Sequence, residues 1–245
     1  PLAMAAVTKR TVVVHGVGDS SVQGDAGFVH LLETMGCAVM TTKETTQVTG
    51  PSLVVPDSGS GSNKTGLIAV EVDMSDLTDA FMTAVAVAVF ASGTTKIFGI
   101  SNQHVKECDR IAAMCENLAR IGITARNNAD GIEVDGIGDR SWEGERMPLR
   151  SAVIDCYDDH RIAMSFAVVA AGAYWRSNGA VSIVMDDAAC TAKTYPNFWD
   201  DLSAGLGLVC RGVTPARATV EGPRKPQKRR EDRHWAAAPS EGREN

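Results

Sequence analysis

Apolar positions recur along the chain in one order: short strand, loop, one-faced helix, glycine, hairpin. From Thr11, TVVVHG reads as a strand. A helix over about Asp25 to Met35 then carries Phe28, Leu31, Leu32 and Met35 on one face. Gly36 stands where a helix-closing glycine belongs, and strands CAVMTT and TTQVTG follow. The order returns at Thr95 with strand TKIFGI. Val105, Cys108, Ile111, Ala112, Cys115, Leu118 and Ala119 then recur at helical spacing, Gly122 closes the helix, and strands ITAR and GIEVDG follow. A third, less complete copy begins near Ala180: strand VSIVMD, a helix over Asn197 to Ala204, Gly207 and strand LVC. Each copy spans roughly 40 residues, so the chain is an internal repeat.

Two further helices link the copies. The segment from about Asp79 to Ala91 is apolar nearly all round and is expected to be buried. Another runs from Asp159 to about Ala173. Repeated strand–helix–strand–strand units predict an α/β domain of packed sheets and helices over residues 1–212. Residues 213–245 are charged, rich in Pro and Ala, and aperiodic, which reads as a disordered linker or tail. The stretch from Pro56 to Gly66 is superficially similar to a phosphate-binding loop. Asn63, however, stands where the glycine before lysine is required, so a hairpin connection is expected.

Composition narrows the class. With 44% hydrophobic and 22% charged residues the chain reads as an ordinary soluble globular protein. A net charge of −6 gives no general ground for nucleic-acid or membrane binding. No apolar run is long enough to span a bilayer, no secretory signal is visible, and a start on Pro1 reads as a fragment. The six cysteines have no metal-ligand spacing, so no metal site is expected and free thiols in a reducing, cytoplasmic setting are the default.

The chemistry is expected at three helix starts. Asn102, Lys106 and Arg110 are four residues apart and would project from one side of a helix. His160 and Arg161 open the Asp-Asp-His-Arg helix, which Asp158 or Asp159 can cap, and Lys193 precedes the helix that Pro196 introduces. Cations there oppose the helix dipole, which favours anions. A bound anion gathered by all three would resolve the conflict. Asp79 and Glu107 are the carboxylates placed for proton transfer. Asp25 occupies the position equivalent to Asp79 in the first copy and reads as structural. Cys190 lies near Lys193 without an adjacent histidine, which gives nucleophilic catalysis little support.

The stretches SVQGD, LTDAFM, NQHVKECDR, YDDHRIAMSF and CTAKTYPNFWDDL together resemble 5-enolpyruvylshikimate-3-phosphate synthase, in order from about Pro1 to Val209. The forms GISNQHVKEC and YDDHRIAMSF look most like the synthase segment of the fungal pentafunctional arom polypeptide. The resemblance implies an enolpyruvyl transferase-like fold of βαβαββ-type units, with this chain as the C-terminal of two domains. It implies transfer of the enolpyruvyl group of phosphoenolpyruvate to the 5-hydroxyl of shikimate 3-phosphate, without metal or organic cofactor. On that basis Asp79 would hold and help deprotonate the hydroxyl, and Asn102 and Lys106 would bind shikimate 3-phosphate. Glu107 would move the methylene proton, while Arg110, Arg161 and Lys193 would grip phosphoenolpyruvate beside His160. His104 departs from the arginine often found at its position. The implied partners are the N-terminal domain, which supplies the rest of the cleft, and a following shikimate kinase. The alternatives are a non-catalytic remnant or assembly domain, or an enolpyruvyl transferase acting on UDP-N-acetylglucosamine.

Overall fold

A computed structural model describes residues 1–51, 55–56, 63–64, 66–138 and 148–206. The expected LVC strand and the 213–245 tail lie outside the described residues. The chain opens with helix α1 (Leu2–Thr8) and strand β1 (Thr11–His15). A 3₁₀ turn (Gly24–Gly27) runs into α2 (Phe28–Thr34), and β2 (Ala38–Thr41) and β3 (Thr45–Thr49) follow. β3 returns antiparallel beside β1, giving the sheet order β1-β3-β2. The short strands β4 (Val55–Pro56) and β5 (Asn63–Lys64) pair antiparallel, as a hairpin connection requires.

The second copy is more complete. It comprises β6 (Glu71–Asp73), a 3₁₀ turn (Ser75–Ala80), α3 (Phe81–Ala88) and β7 (Ser92–Phe98). A second 3₁₀ turn (Ser101–Val105), α4 (Arg110–Arg120), β8 (Ala125–Asn127) and β9 (Ile132–Ile137) complete it. The sheet order is β6-β7-β9-β8, with β6 parallel to β7 and the hairpin antiparallel, so β7-β9-β8 repeats β1-β3-β2. In the third copy β10 (Ala152–Ile154) leads through α5 (His160–Arg176) to β11 (Ile183–Met185), which lies parallel to it. A 3₁₀ turn (Ala188–Lys193) and α6 (Phe198–Leu206) follow.

Helices α1, α3 and α5 pack on one another at the centre, and the sheets surround them. Phe81, Met82 and Ala84–Ala88 of α3 are all buried, the environment its all-round apolar sequence calls for. Small residues let these helices approach: a Cβ on Gly172 of α5 would run into the ring of Phe90, just past α3. One core of buried side chains extends from Ala3 to Leu202. Gly36 and Gly122 close their helices with φ of +101° and +90°, the left-handed conformation that glycine adopts without a Cβ clash. No helix among the described residues is long and apolar enough to cross a membrane.

Two details differ from the sequence reading. Helix α1 has no counterpart in it. The segment is seven residues long, its buried face is nearly the whole helix, and it lacks the alternation that marks an amphipathic helix. Helix α4 starts at Arg110, not near Asn102. The Asp109 side chain accepts the Ala112 N–H (2.9 Å) and sets the cap there, while Lys106 has ψ of −148°, outside any helix. Val105 is consequently 83% exposed and does not belong to the buried face.

Candidate active site

The carboxyl ends of the parallel pairs β6–β7 and β10–β11 lead into segments joined by the ion pairs Arg110–Asp159, Arg161–Asp79 and Lys193–Glu107, the usual place for a ligand in parallel α/β structure. From them come the turns at Ser75–Ala80, Ser101–Val105 and Ala188–Lys193, and the starts of α4 and α5. These elements bring together residues far apart in sequence.

Asp79 lies at the centre. Its Oδ1 accepts from Gln103 Nε2 (3.2 Å) and Arg110 Nη1 (3.4 Å), and Lys106 Nζ lies 3.9 Å away. Arg161 donates to Asp79 Oδ2 (3.2 Å) and to its main-chain oxygen (3.1 Å). Burial alone would raise the Asp79 pKa. The Gln103 hydrogen bond and the charges of Arg161, Lys106 and Arg110 together outweigh burial and hold it below the ordinary value.

Arg110 is the best-buried cation, its side chain 2% exposed. It donates from Nε to Asp159 Oδ2 (2.7 Å), from Nη1 to Gln103 Oε1 (3.0 Å) and from Nη2 to Glu107 Oε2 (2.7 Å). Asp159 is fully buried and also caps α5, accepting the Arg161 N–H (2.9 Å). On its other side Glu107 faces Lys193 Nζ at 3.9 Å. Four cations (Lys106, Arg110, Arg161, Lys193) thus meet three carboxylates (Asp79, Glu107, Asp159), leaving one positive charge in excess. Lys106, Arg161, Lys193, Asp79 and Glu107 each keep roughly a third or more of the side chain exposed, so the charged floor is open.

The turn before α5 is unusual: Tyr157 and Asp158 both have φ of +54°, left-handed conformations in non-glycine residues. Tyr157 is held there by its hydroxyl on Glu116 and by its N–H on Asp155 Oδ1 (3.1 Å). The turn delivers Asp159, His160 and Arg161 to the floor. His160 is buried, its Nδ1 has no hydrogen-bond partner among the described residues, and burial lowers its pKa. Its imidazole is therefore neutral near pH 7.

Of the residues expected from sequence, Asp79, Lys106, Glu107, Arg110, Arg161 and Lys193 share this cluster. Asn102 borders it, donating to Thr78 Oγ1 (3.2 Å) and accepting from Gln103 (3.3 Å). Asp25 stands apart: it is exposed, and no hydrogen bond or ion pair joins it to the cluster. Lys193 ends a 3₁₀ turn rather than opening α6. Cys190 is buried and donates its thiol to Asp187 O (3.1 Å), a packing role. Sequence reasoning missed Gln103, fully buried between Asp79 and Arg110, and saw Asp159 only as a cap. The signal for Asp159 was its place at the cap of an arginine-bearing helix start.

Comparison with known proteins fixes the family. The profile of EPSP synthase (3-phosphoshikimate 1-carboxyvinyltransferase) matches residues 1–202. The chain belongs to the EPSP synthase family. Among EPSP synthase relatives, the pentafunctional AROM polypeptide of Yarrowia lipolytica is 43% identical over 219 residues, and that of Mycosarcoma maydis 40% over 228. These alignments take in 89% and 88% of this chain but 12% of each relative, so the chain spans about an eighth of their length. Among solved structures, an EPSP synthase from Acinetobacter baumannii superposes with a TM-score of 0.63 at 26% identity, over 83% of this chain and 43% of that one. The enolpyruvyl transferase NikO from Streptomyces tendae shares the fold, with a TM-score of 0.53 at 19% identity over 82% of this chain and 41% of that one.

Proposed function

We propose that this chain forms one wall of an active site that joins phosphoenolpyruvate to the 5-hydroxyl of shikimate 3-phosphate, releasing phosphate. Membership of the EPSP synthase family supports the reaction, and the observation that carries it is two part-exposed carboxylates set among four cations. Asp79, held as a carboxylate by its cations, accepts the hydroxyl proton as oxygen attacks the enol carbon. Glu107 delivers a proton to the methylene carbon, giving a tetrahedral adduct. It then takes a proton back from the methyl group as the carbon–oxygen bond to phosphate breaks, and the Asp79 proton leaves with the phosphate. Arg161 and Lys193 hold the carboxylate and phosphate of phosphoenolpyruvate, with charge-assisted hydrogen bonds that strengthen as charge develops. Arg110 joins them by exchanging its Glu107 partner for the ligand, which frees Glu107 for proton transfer. Asn102 and Lys106 take shikimate 3-phosphate, and His160 packs at the phosphoenolpyruvate corner as a neutral ring.

In this reading a second, N-terminal domain supplies the opposite wall, since the charged floor is open. The test is phosphate release from phosphoenolpyruvate and shikimate 3-phosphate, by this chain with and without a separately expressed N-terminal domain. Activity is expected on mixing only, and Glu107→Gln or Lys193→Met should remove it. A mixture that associates yet releases no phosphate would favour a non-catalytic assembly domain.

A further inference from the structure

Gln103 carries no charge and has no exposed surface, yet it touches three residues of the floor. It sits in the 3₁₀ turn Ser101–Val105, with its N–H on Ile100 O (2.9 Å). Its Nε2 donates to Asp79 Oδ1 (3.2 Å) and Asn102 Oδ1 (3.3 Å), and its Oε1 accepts from Arg110 Nη1 (3.0 Å). The amide can face only one way. A guanidinium only donates and a carboxylate only accepts, so Oε1 must meet Arg110 and Nε2 must meet Asp79. Behind Arg110 stands the fully buried Asp159, which takes Nε at 2.7 Å. Asp159, Arg110, Gln103 and Asp79 thus form one line of hydrogen bonds from the interior to the open floor.

That line decides which oxygen of Asp79 is left for a ligand. A carboxylate offers about four acceptor sites, shared equally between its oxygens. On Oδ1, Gln103 takes one site and Arg110 Nη1 (3.4 Å) the other, with Lys106 Nζ 3.9 Å away. Oδ2 accepts from Arg161 Nη2 (3.2 Å) alone among the described residues. With the side chain 39% exposed, the acceptor site open to a ligand is on Oδ2.

We propose that Gln103 is a positioning residue for the reaction: by filling Asp79 Oδ1 and anchoring it to Arg110, it leaves Oδ2 as the atom that takes the hydroxyl proton. The inference rests on the proposed reaction and deepens it. As the O–H bond breaks, its proton bonds to Oδ2 and its electron pair forms the bond from oxygen to the enol carbon. The double-bond pair of the enol takes the Glu107 proton at the methylene. Gln103 itself meets no reacting atom. A neutral amide suits the place because it holds a cation and a carboxylate together without altering the charge of the floor.

The first measurement needs no turnover. Carboxyl carbons of this chain, labelled with ¹³C, are titrated by NMR, and the Asp79 midpoint is compared with that in Gln103→Met. The groups that face Asp79 are Arg161, Lys106, Arg110 and the Gln103 amide. Methionine keeps the volume, so the three cations stay in place while the hydrogen bond is lost. The Asp79 midpoint should then rise by about one pH unit. In the unaltered chain the Gln103 side-chain amide protons should shift with the Asp79 midpoint, a measurement that does not depend on the variant folding.

The second measurement is phosphate release at neutral pH by this chain mixed with a separately expressed N-terminal domain. Gln103→Met should lower kcat by about tenfold, because the carboxylate is no longer held in one orientation. The KM for phosphoenolpyruvate should stay within about twofold, since no hydrogen bond joins Gln103 to Arg161 or Lys193. An Asp79 midpoint that stays put in folded Gln103→Met, or Gln103 protons that ignore it in the unaltered chain, would overturn the proposal. So would a rise in KM with kcat unchanged, the mark of an amide that merely fills space. Turnover by the unaltered mixture with either of those results would sink this inference alone. An unaltered mixture that associates and releases no phosphate would sink the reaction and this inference with it.

Discussion

At the scale of single residues, the balance of the floor rests on Arg110. Its guanidinium meets Asp159, Glu107, Gln103 and Asp79 with almost no contact with water. Arg110→Met would leave Asp159 buried without its cation, a loss of about 3–5 kcal/mol that urea denaturation would read. Asp159→Asn together with Arg110→Met should recover part of that loss, since no charge is then stranded. Arg110 and Arg161 could be read from sequence, because cations at helix starts contradict the helix dipole and invite an explanation, whereas Lys106 and Lys193 stand on turns, where that argument does not apply. Gln103 could not be read. An uncharged amide beside a run of charged residues carries no such contradiction, and only the fold shows it filling the space between Asp79 and Arg110.

At the scale of elements, the repeat was legible wherever a glycine closed a helix and a hairpin followed, as at Gly36 and Gly122. The start of α4 was misplaced because apolar spacing carries through Val105 and Cys108, whereas the Asp109 cap decides where the helix begins. Helix α1 escaped notice for the opposite reason: buried on nearly all sides, it shows no polar face to count. Close packing of the central helices gives a direct check. Gly172→Ala would push a methyl group into the Phe90 ring and should lower stability by about 1–3 kcal/mol, measured by thermal melting.

At the scale of the whole molecule, the titrations of two floor residues, His160 and Asp79, bear on stability, and both weaken it in acid. The unfolded chain carries His160 with an ordinary imidazole near pH 6.5, whereas burial lowers it in the fold. As pH falls through that value the unfolded state takes a proton that the folded state refuses, so stability declines. Asp79 acts in a lower window. Its stabilisation is in place above the ordinary carboxyl range and is lost as pH drops through its lowered folded value. Melting temperature should therefore fall in two stages between neutral and strongly acid pH, and His160→Asn should flatten the upper stage alone.

The half-open floor has one more consequence, which concerns the medium around its charges. At about 4 Å, two unit charges attract by about 1 kcal/mol in water, and by about 4 kcal/mol where the effective permittivity is near 20. With Lys106 and Lys193 over a third exposed, the first regime governs this chain by itself. Added salt then competes directly, since the screening length shortens from about 10 Å at 0.1 M to about 3 Å at 1 M. Phosphoenolpyruvate should thus bind the isolated chain weakly and lose affinity steeply from low to high salt in calorimetric titrations. Once a second wall covers the floor, the same cations should hold the same ligand more tightly and with a shallower salt slope.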